Sequence, residues 1–138
     1  MDLKERVAAA QATLDKYKDQ PFAPGRFDCG QMVKTHLLRM GKPIKKAAKV
    51  GKYHSIAGGV RWLKKLGYDS LIEVMDDHFE RIPPAMRWPG DVVALPGEDG
   101  PGALTVALTN GRLLGFHADA AGACVMQPDE FVAAWRVA

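Results

Sequence analysis

A chain of 138 residues, 47% hydrophobic and 25% charged, is sized for one globular domain with a real core and has no disordered or fibrous bias. No apolar run is long enough to span a bilayer and Met1 to Glu5 has no signal-peptide character, so neither a transmembrane segment nor an export leader is expected. The net charge of +3 hides an asymmetry: ten Lys and Arg without a single acid between Asp28 and Asp69, then a largely acidic stretch to Asp99. This predicts either two solvated faces that attract each other or a basic surface for an acidic partner. Few aromatics interleave with the lysines and no nucleic-acid motif is present, so no specific nucleic-acid site is expected.

Residues 2–18 read as an amphipathic helix with Leu3, Val7, Ala10, Leu14 and Tyr17 on one stripe. A loop over 19–27 leads to Asp28, a good N-cap residue, and to a helix over 28–40. Its buried stripe is Met32, Val33, Leu37 and Met40, and Gly41 is its stop. The lysine-rich stretch 42–54, broken by Pro43 and Gly51, predicts irregular chain with a short helical turn. A third helix spans 56–66, with Val60, Leu63 and Trp62 inward and Gly67 closing it. Strands are then expected at 70–74, 91–95, 104–108, 112–117 and 123–126, with Asn110-Gly111 a strong hairpin signal. Pro83-Pro84 forbids a continuous element across 76–87, and Pro128 opens a terminal helix that runs to Trp135. Helices first and strands after predict one α+β domain over 1–138 with a small antiparallel sheet.

Cys29 falls in the first turn of the second helix, where the dipole and unpaired N–H groups favour a thiolate. Asp28 beside it opposes that charge and the basic run after it supports it. Buried packing as a small hydrophobe is the alternative role for Cys29, and the only role expected of Cys124. Two cysteines make no disulfide framework. Of the histidines, His36 lies two turns along the same helix, about 10 Å from the thiol by helical rise. His54 sits in a basic loop, and His78 belongs to a surface charge cluster with Asp76, Asp77 and Glu80. Neither a metal site nor a cofactor motif is expected.

Phe22, Gly25, Asp28 and Cys29 at the head of a helix, with Gly90-Asp91 before an apolar strand, resemble the NlpC-type papain-like cell-wall peptidases. The resemblance implies a papain-like fold with Cys29 as nucleophile, a base on the next strand, and a residue orienting that base about a dozen positions on. Along this pattern the base falls on Thr105 and the orienting residue on His117. Threonine has no proton affinity near neutral pH, and a slip of one residue puts Leu104 or Val106 there with the same result. His117 is the remaining base candidate. A two-residue Asn110-Gly111 turn sets it on the face opposite Thr105, and a bulge at Gly111 sets both on one face.

The segments 57–67, 89–93 and 134–137 are similar to a short branch of this superfamily found in phages and prophages. That resemblance covers nearly the full chain. It implies a virion protein, made in the bacterial cytoplasm and built into the tail tip or hub among other tail proteins. Two functions are then open. One is a catalytically silent docking module, with Lys42, Lys45, Lys46, Lys49, Lys52, Lys64 and Lys65 as a docking surface and Trp62, Trp88 or Trp135 as anchors. The other is an active cysteine endopeptidase or amidase on peptidoglycan peptides, with Cys29 and His117 as its catalytic pair. The incomplete site favours the first.

Overall fold

A computed structural model describes residues 1–97, 103–116 and 122–138. Helix α1 (Leu3–Tyr17) begins at a capping box, in which Asp2 accepts the Glu5 amide (2.8 Å) and Glu5 reaches back to the Asp2 amide. Its buried face is Arg6, Ala9, Ala10, Thr13 and Tyr17, whereas Leu3, which heads the expected stripe, is 62% exposed. The helix is rotated because Arg6 and Thr13 both have buried polar partners. Helix α2 (Cys29–Arg39) buries Met32, Val33 and Leu37 as expected, with Met40 buried at its C-cap. The lysine-rich stretch is irregular apart from a 3-10 turn at Lys45–Lys49, and α3 (Ile56–Lys65) is capped by Ser55 and buries Leu63.

The strand expected at 70–74 is instead helix α4 (Leu71–His78). Ser70 Oγ accepts the Glu73 amide (3.2 Å) and the Glu73 carboxylate accepts the Ser70 amide (3.2 Å). This second capping box outweighs the β-branched content of the segment. Six strands follow: β1 (Glu80–Ile82), β2 (Val92–Leu95), β3 (Ala103–Ala107), β4 (Leu113–Phe116), β5 (Ala123–Met126) and β6 (Ala133–Arg136). They form one antiparallel sheet in the order β1-β6-β2-β3-β4-β5. The terminal helix expected from Pro128 is thus the strand β6, which pairs Ile82 with Ala134 and Val92 with Trp135. A strand covered on both faces is a short apolar run, and periodicity alone cannot tell such a run from a buried helical turn.

The β3–β4 hairpin closes through a three-residue turn, Thr109–Gly111, rather than the two-residue Asn110-Gly111 loop. Both Asn110 (φ +63°) and Gly111 (φ +73°) are left-handed, and the register becomes Val106 opposite Leu114. The strands then alternate cleanly. Val92, Ala94, Leu104, Val106, Leu114 and Trp135 join Met32, Leu37 and Met75 in the core beneath the helices. Val93, Ala107, Leu113 and Ala134 form a smaller cluster on the opposite face with Phe131.

Two buried polar groups lock the helices to this sheet. The Asp91 carboxylate, fully buried, takes the Arg6 and Arg136 guanidinium groups and the amides of Trp88 (2.8 Å) and Val137 (3.0 Å). Arg6 also donates to the carbonyls of Pro89 and Val137 (both 2.8 Å), so most of its hydrogen-bonding capacity is used inside the protein. His36 is buried between α1 and the turn before β2. Its Nε2–H donates to the Gly90 carbonyl (2.9 Å), and its Nδ1 lies 2.7 Å from the Thr13 hydroxyl, which also stands 3.1 Å from the Ala9 carbonyl.

Candidate functional site

The Asp28 carboxylate organises the site. Its Oδ1 caps α2 by accepting the Gln31 amide (2.7 Å), and its Oδ2 accepts the Gly25 amide (2.8 Å) and the Tyr53 hydroxyl (2.7 Å). Gln31 Nε2 donates to the same Tyr53 oxygen (3.2 Å). Gly25 adopts φ +85°, and a Cβ there would lie 1.9 Å from the Tyr53 carbonyl oxygen, so the glycine is required by the close approach of the two chains. Burial and the Asp28 carboxylate both push the Tyr53 hydroxyl above its usual range, which keeps it a proton donor to Asp28.

Cys29 is the first residue of α2 and is half-buried, packed against the main core. Burial pushes its thiol upward. The Leu104 backbone is the largest opposing influence, the Asp28 charge adds to the rise, and the Gly30 and Cys29 backbone pull it down. The helix start therefore does not win, and the thiol rather than the thiolate is favoured. Neither Cys29 nor Cys124 is in a disulfide, and Cys124 on β5 is half-buried rather than core.

Above Cys29 opens a cleft of about 1120 Å³, walled mainly by apolar side chains that include Trp62, Leu71, Leu104 and Phe116. Strand alternation decides what faces the thiol across it. Leu104 and Val106 lie on the helix side, in the same core cluster that Cys29 packs against, whereas Thr105 falls on the side of Val93 and Ala107. Thr105 is 2% exposed, its hydroxyl donates to the Val93 carbonyl (2.8 Å), and it contributes to the lining of the cleft. The β3 position beside Cys29 is therefore Leu104, one residue from the expected Thr105, and it too carries no base. Among the described residues lining the cleft there is no histidine. His117 lies outside the described residues.

All seven lysines of the expected docking surface are exposed. Lys46 borders the cleft with its ammonium 5.2 Å from the centre of the Tyr68 ring. The tryptophans divide. Trp135 is fully buried and donates Nε1–H to Asp76 (2.8 Å), so it is core and not an anchor. Trp88 is half exposed but carries the Arg136 guanidinium 3.4 Å over its ring. Trp62 lines the cleft. His78 is exposed on α4, and no cluster of three potential metal ligands occurs among the described residues. No helix of the described chain is long and apolar enough to cross a membrane.

Sequence reasoning passed over Tyr53 and Gln31, the two side chains that complete the polar cluster at the helix start. Gln31 was within reach of the capping geometry, as the residue whose amide Asp28 accepts. Tyr53 gives no local signal, because its partner is 25 residues away. The family model described as "Domain of unknown function (DUF6950)" matches residues 1–137, and the chain belongs to that family. No curated protein matches it.

Proposed function

We propose that this member of the DUF6950 family is a papain-like domain of the NlpC type with a degenerate catalytic site, serving as a docking module at the tail tip or hub of a phage virion. The observation that carries the degenerate site is the identity of the β3 residue on the helix side at Cys29. It is Leu104, an apolar core residue one position from Thr105, where the resemblance puts the base, and neither side chain can act as one. A thiol pushed upward by burial supports the same reading, since activated cysteines sit in surroundings that lower it. The helix-start cysteine packed beneath an antiparallel sheet, with Gly90-Asp91 immediately before β2, supports the papain-like assignment. The tail position rests on the resemblance of segments 57–67, 89–93 and 134–137 to the phage and prophage branch. The exposed lysines from Lys42 to Lys65 supply a surface suited to an acidic neighbour in such an assembly.

A thiol-reactive probe at pH 6, applied to a Cys124→Ser background, tests the silent site. Cys29 is expected to react no faster than an ordinary unactivated thiol. Rapid labelling that disappears in His117→Ala would overturn the reading.

The size of the cleft favours a second function, because a site kept only for docking has no need of an open volume above the cysteine. In that reading Cys29 attacks an amide of a peptidoglycan peptide, His117 takes its proton, and amides near the start of α2 hold the oxyanion. Muropeptide cleavage that is lost in Cys29→Ala would establish it.

A further inference from the structure

A second concavity of about 360 Å³ shares Tyr53 and Trp62 with the cleft and is lined as well by Lys52, His54, Arg61 and Lys65. Its volume is at the lower end of sites that take small ligands. Its lining contains no acidic residue, and none of its four basic side chains takes part in an ion pair among the described residues. Arg61 and Lys65 stand one turn apart on α3, a like-charge spacing that mildly destabilises a helix and that a bound anion would offset. The four side chains are exposed, but positive charge gathered in a concavity with no acidic partner among the described residues is the electrostatic form of an anion site.

The scaffold beneath these charges is fixed. Tyr53 is tied through its hydroxyl to Asp28 and Gln31, and its ring packs on α3 where Gly58 and Gly59 leave room. A Cβ at Gly59 would stand 3.2 Å from the ring. Lys65 is held with its ammonium 4.6 Å from the centre of the Trp62 ring. The Gly58 amide in the pocket already donates to Ser55 Oγ (3.0 Å), so recognition falls to the side chains rather than to the helix start.

We infer that this pocket binds a phosphate monoester, with Lys52, Arg61 and Lys65 neutralising the dianion and the Tyr53 and Trp62 rings flanking its carrier. Three permanent cations in so small a space favour a doubly charged group over a singly charged diester. The inference stands apart from the fate of Cys29 and from any place in a virion, and neither is needed for it to hold.

Titration of the full chain with glycerol 3-phosphate at pH 7.5 and low ionic strength, followed by amide NMR shifts, tests it. Saturable binding is expected, with shifts concentrated over 52–65. The pair Arg61→Gln and Lys65→Gln is expected to weaken it by about tenfold or more, while the equally charge-reducing pair Lys45→Gln and Lys49→Gln changes it by less than about twofold. Lys52→Gln provides an independent loss on a different segment. Equal weakening by both pairs, dimethyl phosphate binding as tightly as the monoester, or shifts that never saturate would each overturn the assignment.

Discussion

His36 is buried as a neutral imidazole, and burial is the main reason its affinity for a proton drops to a pKa of about 4 from an ordinary 6.5. The neutral form fits its surroundings: the Gly90 carbonyl takes the Nε2–H, and the Thr13 hydroxyl stands 2.7 Å from Nδ1, where it can donate to it. As the pH falls below 6.5 the unfolded chain takes up this proton while the folded chain does not. Stability is therefore complete above about 6.5 and declines toward 4, by about 3 kcal/mol from this group alone. Urea unfolding at pH 7 and pH 4.5 should show that decline, and His36→Gln should flatten it. An unchanged slope in the variant would assign the loss to carboxylates instead. At this scale much of the site could be read in advance: Asp28 and Cys29 declare themselves because capping is a local matter of neighbouring residues. Tyr53 does not, since its role depends on two segments meeting. The choice between Leu104 and Thr105 stayed open as a slip of one residue, because which alternate residues of β3 face the helices is set by its packing and its pairing with β2.

Among the elements, α4 and β6 are where sequence and structure part. The segment at Ser70 holds both a β-branched content suggestive of a strand and a Ser-x-x-Glu capping signature, and the second prevails because it satisfies backbone donors that a helix start would leave open. Ser70→Ala removes the acceptor for the Glu73 amide and should cost about 1 kcal/mol in urea unfolding. A change within error would mean that α4 is held by packing of Met75 and not by its cap. β6 was not legible for a different reason. Ala133, Ala134 and Trp135 are all buried, so the period-2 signal that marks a half-exposed strand is absent. The helices α1, α2 and α3 and the strands β2, β3, β4 and β5 were readable as elements from their caps, stops and apolar runs, although the face α1 buries was not.

For the whole molecule the decisive group is Asp91. One carboxylate joins α1 through Arg6, the turn at Trp88, and the end of β6 through Arg136 and Val137. Arg6 and Asp91 are both buried, so deleting one charge strands the other in the interior. Asp91→Asn keeps the shape but leaves Arg6 uncompensated, and a loss of about 3 kcal/mol or more is expected in urea unfolding. A loss under about 1 kcal/mol would mean that Arg6 finds enough compensation in the Pro89 and Val137 carbonyls. The Gly90-Asp91 pair that contributes to the papain-like resemblance is therefore, in this chain, an assembly point for three elements.

The place of β6 has a consequence for how the protein is made. In chain order it is the last of the six strands, yet in the sheet it separates β1 from β2. On the ribosome, β2 to β5 can zip into successive antiparallel pairs as they emerge, while β1 has no neighbour and β2 keeps an open edge. That edge stays exposed to wrong pairings until residues 133–136 arrive to fill the gap. The same pairing brings Arg136 and the Val137 amide to Asp91, so closing the sheet and completing the partners of the buried carboxylate are one event.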